Sequence, residues 1–501
     1  MTHLFKLAIV GGGSIGTVYL HHFLRDALTA GIQVEVTVYD PRPLGPGAPY
    51  QEDSDCVLLN SPAAYSSAVF NNRTHFVEWL VKHGIASEEV AGPTYFPRNL
   101  YGRYMRSIAE ENRTLANATG TALAHRQCRA IDVARHDGAY AITDEQGNVR
   151  HCDHVVLCLG NPLSDRFSHL AAVPAFIADP YPTTKLAGMI PPDASVLVLG
   201  TSLSAIDTLL ALKAAGHRGP LHASSRTGRL PVVRGRAFGA VTMHRFTSDE
   251  LMAAAQKRGG QLDLEVLKQH LVEDFRMNGG TDEELADAFR EMRSDPVKYL
   301  DEEIAAATSH RRVWLSVSAL AMSCIEDVWP LLPPDQRARF HRDFDRHWKM
   351  RKISFPMSNA LRLKQLLEAG SVTIGTGLRD VRLSADGRQF ISTEFGGRGE
   401  VESHFDRVVD ATGFSSSAEA CVDPLVRGLL AGGTATADAL GGLTINPASG
   451  RLVNRQGAEE QIAVLGSFAS GAYFWTNSID VNVRLAARQA RRLVRAVQAC
   501  P

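Results

Sequence analysis

Leu7-Ala8-Ile9-Val10-Gly11-Gly12-Gly13-Ser14-Ile15-Gly16 is the stretch on which the fold turns. The four apolar residues read as a strand buried on both faces. The residues after them satisfy G-x-G-x-x-G at Gly11, Gly13 and Gly16. In that pattern the first glycine allows a tight turn and the second lets backbone approach a pyrophosphate. The third lets a helix pack closely on the strand. Ser14 and Ile15 then open a helix whose N–H groups and dipole suit phosphates. Apolar residues at Ile15, Val18, Tyr19, Phe23 and Ala27 keep close to helical spacing, and Gly31 stands where that helix should stop. A second strand, Val34 to Tyr39, delivers Asp40, an acid placed to meet an adenosine ribose hydroxyl. The same residues also fit the G-x-S-x-G elbow of a hydrolase, with Ser14 as nucleophile. That elbow normally follows several strands, whereas few residues precede this one, and it gives Asp40 no role. The dinucleotide reading is preferred.

The pattern restarts further on. Ser195 to Leu199 reads as a buried strand, Gly200-Thr201-Ser202-Leu203-Ser204-Ala205 as a turn, and Ser204 to Ala215 as a helix stopped by Gly216. Here serine replaces the second glycine and alanine the third. The next strand, Pro220 to Ser224, leads into Ser225 and Arg226. An NAD site prefers an acid at that point, while an arginine accommodates a 2′-phosphate. Ser225, Arg226 and Arg229 therefore point to NADPH. Two such units predict an α/β fold with two Rossmann-like dinucleotide-binding domains.

Around these units the chain divides by character. Residues 41 to 75 are rich in turn formers, too long for an idle connection, and read as a functional loop. Ala130 to Ala134 and Tyr140 to Thr143 read as a hairpin. Residues 245 to 350 are charged and helix-forming, with acidic pairs after Ser248 and Thr281 as capping signals. Strand signals return at Val372 to Ile374, Phe390 to Glu394 and Arg407 to Asp410, and a last helix is expected over Asn482 to Gln498. The predicted organisation is 1–185 for the first unit and 186–235 for the second. A helical insertion follows at 236–350, a return of the second unit at 351–400, and the C-terminal part of the first unit at 401–501.

Composition narrows the function classes. Lys plus Arg is 53 and Asp plus Glu 54, a formal net charge of -1, so bulk phosphate neutralisation of nucleic acid is not expected. The 7 cysteines are scattered and do not read as a disulfide framework. His151-Cys152-Asp153-His154 has metal-ligand residue types, but consecutive strand residues face opposite ways, so no metal site is expected. No apolar run reaches the roughly 18 residues that a membrane span needs. The first residues lack a signal-peptide core, so a cytoplasmic protein without membrane partners is expected. Oligomeric state is left open.

Asp40-Pro41-Arg42-Pro43-Leu44-Gly45-Pro46-Gly47-Ala48-Pro49-Tyr50, with Leu58-Leu59-Asn60-Ser61-Pro62, resembles a bacterial group of FAD/NAD(P)-binding flavoprotein monooxygenases. Its best-known kinds are the FAD-dependent urate hydroxylase and the aspartate N-monooxygenase that forms nitrosuccinate. Tyr95-Phe96-Pro97-Arg98-Asn99-Leu100-Tyr101-Gly102-Arg103-Tyr104, Val408 to Gly413 and Val464-Leu465-Gly466 are similar to segments of the same group. The ending Trp475-Thr476-Asn477-Ser478-Ile479-Asp480 departs from its Trp-Glu type. The resemblance implies FAD in the first unit and NADPH in the second. It implies that Asn60 and Ser61 lie near the isoalloxazine, with Arg98 in the same FAD site. Val133 would meet the adenine through its backbone, and Gly466 and Ser467 would bring a helix N-terminus towards the flavin.

The implied activity is an NADPH-dependent flavin monooxygenase. It would hydroxylate a small polar metabolite, at an amino-acid amine nitrogen, through a flavin C4a-hydroperoxide formed with dioxygen. The oxygen chemistry belongs to the cofactor, so no catalytic base is named. Urate-type carbon hydroxylation, hydride transfer without oxygen insertion and a non-catalytic nucleotide-binding module stay open. A substrate carboxylate calls for guanidinium groups. Arg234, Arg236 and Arg351 are the substrate candidates, with Asn477 from the departing C-terminal segment.

Overall fold

The computed structural model describes residues 4–136, 138–162, 164–235, 241–288, 295–309, 312–396, 399–415 and 417–499. The apolar run at the start forms the strand Lys6–Val10, in the middle of a seven-stranded sheet. From one edge the order is Ile445–Asn446, Arg451–Val453, Glu459–Val464, His154–Leu157, Lys6–Val10, Glu35–Tyr39 and Ala122–Arg126. The last five run parallel, and the first three are antiparallel neighbours. The central strands Lys6–Val10, Glu35–Tyr39 and His154–Leu157 are largely buried and rich in apolar residues, as expected for parallel strands covered by helices. Helix Ser14–Ala30 packs against helix Arg98–Thr119 and against the C-terminal helix Ile479–Ala499. Helix Arg98–Thr119 was not foreseen from its sequence, and the last helix starts earlier than expected.

The second unit is a five-stranded parallel sheet in the order Val372–Thr376, Leu221–Ser225, Val196–Leu199, Arg407–Asp410 and Phe176–Ile177. Two of these strands correct the expected boundaries. Phe176–Ile177 lies before 186 and Arg407–Asp410 beyond 400, yet both belong to this sheet. Val408 and Val409 are fully buried, and strands of that composition suit either sheet. Only pairing decides between them, here Arg407 to Asp410 against Val196 to Leu199.

Two three-stranded antiparallel sheets lie alongside. One holds Ala130–His136, Ala139–Asp144 and Val149–Cys152, so the expected hairpin gains a third strand. The other holds Leu378–Leu383, Phe390–Gly396 and Gly399–Phe405. Cys152 ends one strand and His154 opens another in a different sheet, while Asp153 accepts the Lys6 N–H at 2.7 Å. Among the described residues no group of side chains could hold a metal ion, and no helix is long and apolar enough to cross a membrane.

The insertion is helical. Its capping residue at the first helix is Thr247, whose hydroxyl accepts the Glu250 N–H, and Ser248 falls inside the helix. Thr281 accepts the Glu284 N–H as foreseen. Asp274, fully buried, accepts backbone N–H bonds from His244, Arg245 and Phe246 and so pins the loop before the first helix. The insertion docks on the C-terminal part of the chain. Arg484 donates to Glu326 and to the carbonyl of Met322, and Trp329 donates to the carbonyl of Gly471.

Candidate cofactor and substrate crevice

At the first turn, Gly11 has φ +99°, and a Cβ there would lie 2.1 Å from the Cys158 carbonyl oxygen. A Cβ on Gly16 would lie 1.9 Å from the Gly11 oxygen, and one on Gly13 would meet Gly47 Cα at 3.0 Å. Helix Ser14–Ala30 therefore seats directly on the turn, and no side chain caps its first N–H groups. An uncapped helix N-terminus beside bare backbone is the environment that a pyrophosphate requires. The residues present fit a dinucleotide. Asp40 serves the turn itself: its carboxylate accepts the Gly12 N–H at 2.9 Å and the Arg42 N–H at 2.8 Å. Each oxygen keeps a further lone pair, which is compatible with a ribose contact.

Residues 57–63 lie beside 94–98, so two resembling segments far apart in sequence form one wall. Leu59 N–H donates to Phe96, Ala63 N–H to Thr94 and Arg98 N–H to Val57. Asn60 is exposed and Ser61 half-buried on this wall. Arg98 is engaged by protein partners. Its guanidinium donates to the Leu58 carbonyl at 3.1 Å, lies 3.0 Å from Asp207 and sits over the Tyr181 ring. Burial alone would pull its pKa down, but Tyr181 and Asp207 hold it above the ordinary value. Asp207 belongs to helix Leu203–Ala214 of the second unit, so this buried pair ties the two units together. Asp53 adds to the tie by accepting the Thr183 hydroxyl at 2.6 Å.

Gly466, at φ +82°, brings its backbone against Ile15, and a Cβ there would meet Ile15 Cδ1 at 3.0 Å. Ser467 donates to Asn161. The helix expected after them is only a 3-10 turn, Ser467–Ala469, and a four-residue turn, Ser470–Tyr473. Val133 is buried in an outer strand of its meander, paired on one side with Ile142.

The second turn is built differently. Gly200 has φ +109°, and a Cβ there would lie 2.7 Å from the Ala411 oxygen. Ser202 precedes helix Leu203–Ala214 without a side-chain cap bond. Ser204 lies in its first turn, where its carbonyl accepts the Thr208 hydroxyl. The Thr201 hydroxyl donates to the Arg229 carbonyl at 2.6 Å and meets Ser225 Oγ at 3.0 Å. Ser225 also accepts the Gly228 N–H at 2.9 Å. These hydroxyls bind the loop 225–229 to the turn and leave Arg226 exposed, without an ion pair among the described residues.

Of the substrate candidates, Arg234 is buried. It closes the short strand Val232–Arg234, is 8% exposed and donates to Ser354 Oγ at 2.7 Å. Tyr95 and Tyr65, from the first unit, face it; burial lowers its pKa and the two phenols oppose that. Arg236 lies outside the described residues. Arg351 lies in helix Asp345–Lys352, and Asn477 is exposed. Sequence reading missed Lys352, the neighbour of Arg234. Its Nζ lies 5.1 Å from the Trp475 ring centre and 5.9 Å from that of Trp348. Trp475 is presented by Phe474, which has φ +68° and stacks on Trp329 at 4.5 Å. A bulky residue in that region is strained and persists only where its surroundings hold it. The departure of Trp475 to Asp480 from the expected ending was the one available sign of this corner.

Residues 8–162 match the family model described as FAD-NAD(P)-binding. No curated protein matches the chain at a significant level. Among solved structures, the chain shares its fold with the ornithine hydroxylase of Pseudomonas aeruginosa, at TM-score 0.59 and 13% identity over 99% of both chains. The L-lysine 6-monooxygenase of Pseudomonas syringae gives TM-score 0.59 and 15% identity, also over 99% of both. The cadaverine monooxygenase of Erwinia amylovora, bound to FAD, gives TM-score 0.61 and 13% identity over 99% of this chain and 95% of that one.

Proposed function

We propose that this chain is an NADPH-dependent flavin monooxygenase that hydroxylates the amine nitrogen of a small metabolite carrying an acidic group. The observation that carries the reading is a fold shared from end to end with amine monooxygenases, combined with two uncapped glycine turns on parallel sheets. Gly11, Gly13, Ser14, Ile15 and Gly16 would hold the pyrophosphate of FAD, with Asp40 at its ribose. Asn60, Ser61, Gly466 and Ser467 would border the ring system. Gly200, Thr201, Ser202, Leu203 and Ser204 would hold NADPH, with Arg226 and Arg229 at the 2′-phosphate. Bound FAD supplies the activation of dioxygen with electrons from NADPH. The chain's own work is to orient the amine, exclude water and hold the substrate's charge.

Arg234 supports the acidic group. A buried guanidinium offers paired donors to a carboxylate, and it stands beside a second cation, Lys352. The named relatives act on ornithine, lysine and cadaverine. Two basic side chains side by side suit an anion better than the distal ammonium of a diamine. A flat purine anion is the second reading, favoured by the rings of Tyr95, Tyr65 and Trp475 around the same two cations.

The test is purification of a yellow protein, followed by NADPH oxidation under labelled dioxygen with acidic amino acids and urate as candidates. Oxygen label on nitrogen supports the reading, and label on carbon supports the purine alternative. Product formed without label assigns the chain to hydride transfer. A colourless protein that binds no flavin overturns all three.

A further inference from the structure

Lys352 ends the helix Asp345–Lys352. Its Nζ is packed between the indoles of Trp475 and Trp348, with the Ser318 carbonyl as acceptor at 3.4 Å, and it makes no ion pair among the described residues. Two charged groups act on it from other elements. Arg234 repels a second cation. Asp480, at the start of the C-terminal helix, attracts one but is paired with Arg484. About two turns back on the same helix, Asp345 is shared by Lys349 and His341. Helix Val313–Leu320, which supplies Ser318, carries no charged residue. Burial and then Arg234 pull the lysine down to about 7, against the pull of Asp480. The indole faces favour the cation. The amine is thus balanced between its two forms near neutral pH.

An amine can attack oxygen only after it has lost its ammonium proton, because the nitrogen lone pair must be free. On the reading that this chain oxygenates such an amine, we propose that Lys352 is the base that takes the ammonium proton of the bound substrate. One N–H bond of the substrate breaks, one Nζ–H bond forms, and the substrate nitrogen keeps the electron pair. The substrate's own acidic group drives the transfer. Placed between Arg234 and Lys352, it favours the charged form of the lysine. A zwitterionic substrate therefore brings the proton that Lys352 needs, and the complex forms without proton exchange with solvent. On product release the lysine returns its proton to water.

Titration calorimetry on the FAD-loaded protein at about pH 8, in buffers of different ionisation heat, tests this directly. The probes are succinate and L-aspartate, which share two carboxylates and differ in the amine. Succinate is expected to draw about one proton from the buffer, and L-aspartate close to none. Lys352→Met should abolish the uptake with succinate and lower kcat/KM for L-aspartate about a hundredfold, within the usual range for loss of a base. Lys352→Arg, permanently charged, should not restore turnover. Equal uptake with both probes, binding of neither, or unchanged uptake in Lys352→Met overturns the proposal. Expected proton counts with no labelled oxygen in the product would overturn the monooxygenase reading and leave the proton uptake by Lys352 standing.

Discussion

The two glycine turns share a plan and solve it with different chemistry. In the first, helix Ser14–Ala30 approaches so closely that a Cβ on Gly16 would lie 1.9 Å from the Gly11 oxygen. In the second, the corresponding place holds Ala205, fully buried and accommodated. The first turn is braced by a carboxylate, Asp40, on backbone N–H groups. The second is braced by two hydroxyls, Thr201 and Ser225. The lesson is that the residue at the end of the second strand need not address the ligand alone. Asp40 builds its turn, whereas in the second unit the bracing falls to hydroxyls and Arg226 is left exposed.

The comparison breaks most visibly at Gly16. Gly16→Val is expected to abolish flavin binding, read as loss of yellow colour and of FAD-induced thermal stabilisation, because backbone stands where the side chain must go. Full flavin occupancy in a folded Gly16→Val protein would show that the first turn is no tighter than the second. Asp40→Ala leaves two N–H groups without their acceptor and should cost on the order of 2–3 kcal/mol of stability. Denaturant unfolding of the apoprotein measures it, and an unchanged midpoint would return Asp40 to a purely ligand-facing role.

The second turn gives smaller effects. Arg226→Ala should raise the KM for NADPH about thirtyfold, the loss of a charge-assisted bond to a phosphate, and leave NADH nearly unchanged. Equal losses for both cofactors would remove Arg226 from the 2′-phosphate. Ser225→Ala frees the loop 225–229 and should weaken both cofactors alike, by roughly fivefold for a single hydrogen bond. A loss confined to NADPH would mean that Ser225 touches the phosphate and does not merely hold the loop.

Local pattern and tertiary pairing divide the molecule between them. The glycine turns, their strands and their helices were legible because each is set by neighbours a few residues away: apolar runs, positive-φ glycines and helix stops. The helical character of the insertion was legible for the same reason, down to the Thr281 cap. The strand Arg407–Asp410 was legible as a strand but not as a member of the second sheet, because a run buried on both faces carries no mark of its partner. Arg98 was legible as a segment match, yet its ion pair with Asp207 joins residues of different units. The surroundings of Arg234 and Lys352 were the least legible part. Arg234 was one arginine among several until Tyr95, Tyr65 and Ser354 closed around it. Lys352 gave no sign at all. A lysine in a charged helix reads as solvated, and only the approach of Trp475 and Arg234 from other elements, beside Trp348 of its own helix, removes it from water. The sequence by itself determined that this chain folds as two Rossmann-like units, since turn and strand chemistry is local. Tertiary structure alone decided which cations meet, since burial and charge repulsion exist only between parts that the chain brings together on folding.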